Sequence, residues 1–379
     1  MDKLHKIVLI FLITVLLGGC WDKIEINERA FVFAIGIDKF KPKNMNGAEE
    51  KRYIITYAFP NVKTLADQGG DEKPRFVIRS IGQNMFQVSD ILTTRSNRTM
   101  FFGHTKVIII SEDVARDPIA FREVIDGLER YHAIGRKVDV LISKETAKKA
   151  IDIVPDFEPV TGSYLRGILT AKKRSARFTP TTLGDIGANM HGGGSILIPM
   201  VTPGETDLKV AGAAIIKNYR LIGWLGEKEN RSVMFVKGEV EREDITTKYK
   251  DITIAYSVEN VESNKTAKVE DGKIKVGIFV NIEGFIERYR FDAKQDLLDD
   301  KILQEIEKSL QNTIAKEIKG TIRKLQEEFS ADVIGIEDYL SKFKPDIWEQ
   351  VEDNWNEVFK DIIIDVEVDV KVRRIGMTR

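Results

Sequence analysis

The chain has 379 residues, with 58 lysines and arginines against 59 acidic residues, 42% hydrophobic and 31% charged residues. That is an ordinary globular balance, and its near neutrality excludes a global field that would gather nucleic acid or an anionic surface. A single cysteine, Cys20, excludes disulfides and thiolate metal sites in the folded body.

The chain opens on Lys3, His5 and Lys6. It then runs almost unbroken aliphatic and aromatic from Ile7 to Leu17, interrupted only by Thr14. A charged start and an apolar run this short make a secretory signal over residues 1–19 rather than a membrane span, which needs roughly 20 apolar residues. Leu17-Gly18-Gly19-Cys20 closes it and fits the bacterial lipobox, in which the thiol is alkylated with a diacylglyceryl group before cleavage leaves cysteine as the new N-terminus. One acyl chain binds a membrane reversibly; two or more bind stably. Loss of residues 1–19 removes Lys3 and Lys6 against Asp2, leaving 56 basic and 58 acidic residues, a net charge of −2.

The mature length suggests two or three domains, with expected divisions at 20–155, 156–245 and 246–379. In the first, Ala30 to Ile37 and Tyr53 to Phe59 are expected strands on either side of a polar loop. Ile81, Met85, Val88 and Leu92 share one side of an expected helix. Lys106 to Ile110 is a buried strand, Pro118 to Tyr131 a helix, Lys137 to Ile142 a strand, and a helix follows from Ser143, whose hydroxyl is a candidate cap. This alternation places one sheet, covered by helices, at the centre of the first domain.

The middle segment has expected helices from Gly162 and from Thr179-Pro180-Thr181-Thr182, the latter broken at His191-Gly192-Gly193-Gly194, and an expected strand from Ser195 to Met200. Ala211 to Lys217 and Arg220 to Leu225 form a hairpin about a tight Asn218-Tyr219 turn. Glu227-Lys228-Glu229 and Glu239 to Asp244 are expected to be solvated turns. The last domain has the clearest pattern. Ile252, Ile254, Tyr256 and Val258 alternate with small or polar residues, as do Ile274 to Ile282 and Val366, Val368, Val370 and Val372. Period-two alternation means strands with one buried face, hence an antiparallel or mixed sheet. Between them Ile302, Ile306, Leu310, Ile314, Ile318, Ile322, Leu325 and Phe329 make an amphipathic helix roughly 45 Å long. A shorter helix around Ile347 to Phe359 carries Trp348 and Trp355, expected as core anchors.

Residues for chemistry are scarce. His191-Gly192-Gly193-Gly194 has the shape of a lipase-type oxyanion loop, but no serine sits in the G-x-S-x-G elbow that such chemistry requires, so a glycine turn is expected. His104, His132 and His191 have no paired metal-ligand spacing. No glycine-rich phosphate cradle follows a strand, and the carboxylates are expected on solvated faces. No catalytic residue, metal or cofactor is expected.

The opening Cys20-Trp21-Asp22-Lys23-Ile24-Glu25-Ile26-Asn27, with Ala30 and Ala34-Ile35-Gly36-Ile37-Asp38, closely resembles that of the Ger(x)C lipoproteins, the C subunits of spore germinant receptors in endospore-forming bacteria. Phe102-Gly103-His104-Thr105-Lys106-Val107-Ile108, Ser111-Glu112 and Ala211-Gly212-Ala213-Ala214-Ile215-Ile216-Lys217-Asn218 with Gly223 extend the resemblance over essentially the whole chain. Gly18 departs mildly from the usual lipobox alanine or serine. The resemblance implies an α+β chain of three domains, each a mixed or antiparallel β-sheet with flanking helices. It also implies a non-enzymatic subunit, lipid-anchored to the outer face of the inner spore membrane and assembled with two integral membrane subunits, A and B. Only Cys20 and its lipobox carry over as functional positions. The rival expectations are a solute-binding lipoprotein of a transport system, which needs two lobes and a cleft, and a lipid-anchored hydrolase, which needs a nucleophile.

Overall fold

The computed structural model describes residues 28–41, 52–61, 73–171, 175–250, 252–288 and 300–375, together with Lys3–His5, Ile7 and Glu25. Its main sheet has eight strands. Four lie parallel at the centre: β2 (Ala34–Lys39), β6 (Val107–Ser111), β7 (Asp139–Ser143) and β8 (Ser195–Pro203). Antiparallel strands close both sides, β3 (Tyr53–Pro60) and β4 (Arg75–Gly82) beyond β2, and β9 (Leu208–Lys217) and β10 (Arg220–Leu225) beyond β8. β6 and β7 are buried at every position. Their unbroken apolar runs are what a parallel strand covered on both faces requires.

Period-two side-chain direction divides the core. Ile35, Ile108, Ile110 and Ile142 face α1 (Met85–Thr93), α3 (Pro118–Arg130) and α6 (Leu183–His191). Ala34, Val107, Ile109 and Leu141 face α4 (Ala147–Asp152) and α5 (Thr161–Thr170). A two-stranded parallel ribbon, β1 (Arg29–Phe31) with β5 (Thr99–Phe101), lies where the described chain begins. A single turn, α2 (Glu112–Ala115), follows β6.

The C-terminal sheet has the order β11 (Glu243–Tyr249), β12 (Ile252–Glu270), β13 (Lys273–Arg288), β14 (Ile363–Ile375), with only the β13–β14 pair parallel. Helix α8 (Asp300–Lys324), continued by a π turn over Leu325–Phe329, covers it with Ile306, Leu310, Ile314, Ile318 and Ile322. Its first half lies on the sheet, where Gln311 donates to Asp369 at 2.9 Å. Its far end reaches the first sheet, where Lys324 Nζ approaches the Trp224 carbonyl at 3.4 Å. Helices α9 (Ile336–Phe343), α10 (Pro345–Trp348) and α11 (Trp355–Asp361) lead into β14.

Mixed sheets with flanking helices are thus the architecture, as expected. The hairpin turn is also as expected, with Asn218 and Tyr219 at φ 50° and 60° as the twist-matched two-residue turn demands. Trp355 is buried against Trp348, with ring centroids 5.6 Å apart.

Several expectations change. The division at 155/156 does not interrupt the sheet: β8 pairs with β7 (Ile142 with Met200), so the middle segment extends the first sheet. The reason is that β7 is central and needs a neighbour on each side. Ala30 to Ile37 splits into β1 and β2. Ile81 lies inside β4, a strand the sequence pattern did not show, rather than starting α1. The cap of α4 is Thr146, whose hydroxyl accepts from Lys149 N at 3.1 Å, and Ser143 closes β7. The single helix expected over 347–359 is broken into α10, a 3₁₀ turn at Glu352–Asn354, and α11.

The largest change is α7 (Glu227–Lys237), where a charged turn was expected. The Glu229 carboxylate accepts from Gly226 N at 2.6 Å at its start, and Gly238 is its left-handed stop. Asn230 to Val236 are all buried, so the helix is enclosed on every side and shows no amphipathic stripe. It is enclosed because one apolar cluster runs from Leu197, Ala213, Ile215 and Leu225 of the first sheet, through Val233 and Phe235 of α7, into the C-terminal sheet.

Candidate functional site

Cys20 and the preceding Leu17, Gly18 and Gly19 lie outside the described residues. What the structure describes is the place where the chain emerging from them joins the body. β1 pairs with β5, and Val32 N donates to the Phe101 carbonyl at 3.0 Å. Phe31 meets Phe101 edge-to-face at 5.5 Å and His104 at 5.2 Å. Arg29 stacks over Phe101 at 4.8 Å, and Lys106 over Phe33 at 5.6 Å. The opening motif and the Phe102-Gly103-His104-Thr105-Lys106 motif therefore meet, and together they fix where the N-terminal segment leaves the sheet. His104 belongs to this aromatic cluster and has no metal-type surroundings.

Further along, Gly36 is a glycine for space: a Cβ there would stand 2.6 Å from Ile151 Cδ1. Two residues on, the buried Asp38 carboxylate accepts from Ala147 N at 2.7 Å and Lys148 N at 2.9 Å, so that β2 caps α4. Burial raises the pKa of this carboxyl, and the two amide bonds pull against that rise. The expectation that carboxylates lie on solvated faces fails here and at Asp139, Glu243 and Asp332, all buried. Asp332 is held by the backbone N–H groups of Ile334, Gly335, Ile336 and Glu337.

The Ala211-to-Asn218 motif and Gly223 sit at a second place, the seam between the sheets. Gly212 has φ +74° and Leu225 O 2.4 Å from where a Cβ would stand. Gly223 makes room for the Phe329 ring, whose Cε1 lies 2.1 Å from the position of a Cβ. Beside it Arg231 of α7 approaches Glu317 of α8 at 2.6 Å and Glu243 of β11 at 3.4 Å. Glu243 also accepts from Ala176 N at 2.8 Å. An ion cluster this buried adds little net stability, but removing one partner leaves an uncompensated charge worth about 3–5 kcal/mol. It fixes how the two sheets lie against each other.

Glu243 was missed because it was assigned to a solvated charge run. The signal was present: Glu243, Ile245, Thr247 and Tyr249 are the inward positions of β11, which alternates buried and exposed throughout.

The glycine run is a turn, as expected. Gly193 N donates to Met190 O at 3.2 Å and Gly194 N to Asn189 O at 3.0 Å, closing the C-terminus of α6. Those amides are therefore not available to an oxyanion. His191 is exposed and meets Glu129 at 3.1 Å. Among the described residues no group of three His, Cys, Asp or Glu is placed to hold a metal ion, and no helix is long and apolar enough to cross a membrane. A cleft of about 550 Å³ opens between α1 and α3, lined by Arg52, Tyr53, Met85, Phe86 and Glu123. Its charged groups are satisfied internally: Arg52 pairs with Glu123 at 2.6 Å, and the Tyr53 hydroxyl donates to the same carboxylate at 2.8 Å. Burial and that carboxylate push the Tyr53 pKa up, so the hydroxyl stays a donor.

Comparison with known proteins places this arrangement. Residues 22–203 match the spore germination protein N-terminal domain, and residues 211–376 match the C-terminal domain described as spore germination B3/GerAC-like. The join between them falls between β8 and β9, inside one sheet. The chain is 26% identical over 400 residues to spore germination protein YndF of Bacillus subtilis (strain 168), covering 100% of this chain and 98% of that protein. It is 26% identical over 372 residues to spore germination protein A3 of the same strain, with 98% of each covered. A solved structure, described as the crystal structure of the GerBC protein, shares the fold at a TM-score of 0.61 and 18% identity, over 90% of this chain and 98% of that one.

Proposed function

Because the chain belongs to the GerAC-like family of spore germination proteins, we propose that it is the lipid-anchored, non-enzymatic C subunit of a nutrient germinant receptor. In this reading it sits on the outer face of the inner spore membrane, is assembled with two integral membrane subunits, A and B, and is required for germination. The observation that carries the reading is Leu17-Gly18-Gly19-Cys20, set directly behind an apolar run and supplying the only cysteine in the chain. Two acyl chains on that cysteine hold the body at the membrane, which raises its effective concentration beside membrane-embedded partners. The body suits a scaffold: the buried carboxylates Asp38, Asp332 and Glu243 are committed to a helix cap, a backbone turn and the seam. A solute-binding lipoprotein would need an open cleft between lobes, whereas here the space between the two sheets is filled by α7 and Phe329.

Cys20→Ala tests the reading in spores carrying the receptor. The variant is expected to leave the membrane fraction and to abolish or strongly reduce the nutrient response. Retention in the membrane with normal germination overturns it.

A further inference from the structure

The end of the main sheet where β2 and β4 begin gathers three arginines that have no carboxylate partner among the described residues. Arg29, Arg95 and Arg98 line a cleft there of about 540 Å³, together with Phe31 and Phe76. Arg29 lies on the Phe101 ring, and Arg95 donates to the Arg79 carbonyl at 2.9 Å. No carboxylate among the described residues pairs with any of the three. In contrast, Arg52, Arg116, Arg130 and Arg136 each meet an acidic side chain. The loop from α4 to α5 comes to the same end, tied to the first residue of β4 by Arg75 Nη2 on the Ile153 carbonyl at 3.1 Å. It carries Phe157, 98% exposed, and Val154, 45% exposed, and Phe76 beside Arg75 is 49% exposed.

Arginines without a carboxylate partner among the described residues, sharing a cleft with the exposed Phe76 at the end of the sheet to which the Phe157 loop also comes, suit an interface that is charged outside and apolar beneath, as a bilayer surface is. The tether selects the same end. Arg29 is nine positions beyond Cys20, which limits the reach to about 32 Å even fully extended. With the chain as a whole near neutral, attraction is local, acting within about a Debye length of roughly 8 Å.

We propose that this end of the sheet lies on the membrane, with Arg29, Arg95 and Arg98 taking the phosphates of anionic phospholipids while Phe157 enters the interface. Guanidinium forks bind phosphate oxygens in pairs, so the contact orients the body as well as holding it. The proposal rests on the lipid anchor proposed above. It adds that the anchored body has one preferred face toward the bilayer, so that the C-terminal sheet is left for protein partners.

The test uses the full lipidated chain in vesicles. With Cys20 occupied by lipid, Asn97→Cys supplies a single thiol beside the arginines for a fluorophore, and headgroup-attached quenchers report its distance from the surface. Strong quenching is expected in phosphatidylcholine containing about a third phosphatidylglycerol, and weak quenching in phosphatidylcholine alone. Each of Arg29→Gln, Arg95→Gln and Arg98→Gln should lower the docked-to-undocked ratio about fivefold; molar salt should lower it in the parent chain. Phe157→Ser should weaken docking in both lipids. Equal quenching in the two lipids, or quenching unchanged in arginine variants that keep the parent melting temperature, overturns the proposal. If an acidic protein is the true ligand, the label stays unquenched on lipid alone, which also overturns it. An anchored chain that fails these tests leaves the anchor intact, whereas a chain shown by mass spectrometry to lack the diacylglyceryl group removes both.

Discussion

Replacing Val368 by aspartate tests whether the terminal strand seals the C-terminal core. Val366, Val368 and Val370 face inward from β14, and Val368 is 8% exposed and lies level with Val280 of β13. All four belong to the cluster covered by α8. Losing one buried valine removes roughly 1.5–3 kcal/mol. The carboxylate put in its place finds no donor in a layer of valines and isoleucines, adding about 1–3 kcal/mol. Because β14 is the sheet edge, the backbone can yield, and the lower part of the range applies, about 3 kcal/mol. At about 2–4 °C per kcal/mol for a unit of this size, the melting temperature should fall by roughly 6–12 °C. Glu367→Ser, on the exposed side of the same strand, should change stability by no more than about 0.5 kcal/mol. The measurement is thermal and urea unfolding of the full chain, followed by circular dichroism. A pH series adds a signature. Burial raises the pKa of the introduced carboxyl, so the deficit of the variant should shrink as pH falls from neutral toward 4 and grow as it rises. Equal melting temperatures for the two variants would mean that β14 has no buried face, and the sheet-under-helix account of this unit would fail.

At the seam, Gly223→Ala should destabilise by about 1–3 kcal/mol, since its Cβ meets the Phe329 ring. In a Phe329→Ala background that penalty should largely vanish, as a double-mutant cycle in urea would show. Asp38→Asn tests the buried cap: the raised pKa of Asp38 gives the parent an increment of stability that is full in acid and is lost as pH rises through the folded-state pKa. The difference between parent and variant should therefore be larger near pH 4 than near pH 7, and a difference that grew with pH would contradict the buried assignment. His191→Ala removes an exposed contact to Glu129, so it should cost no more than about 1 kcal/mol and leave spore germination unchanged. Loss of germination at unchanged protein level and melting temperature would reopen the hydrolase alternative.

Much of the fold was legible because periodicity survives wherever an element has one wet face. The alternation of Val366 to Val372, the fourfold spacing of Ile302 to Phe329 and the Asn218-Tyr219 turn each encode their structure locally. The elements that were not legible are those whose surroundings come from far away in the chain. Helix α7 is buried on all sides, so it has no stripe to read, and its charged first turn resembles a loop. The ends of β4 carry Arg75 and Gly82 with little alternation between, and the strand exists because β3 needs a neighbour.

The sequence by itself carried the lipobox-like run ending at Cys20, the family resemblance, the sheet-and-helix class and the turn nature of His191 to Gly194, since each is read from short local patterns of residues. Only the tertiary structure decided that the middle segment completes the first sheet, that Asp38 and Glu243 are buried, and that Arg29 shares a cleft with Arg95 and Arg98. A charge is solvated, paired or left open according to what folds against it, and for these residues the neighbours are 60 to 110 positions away.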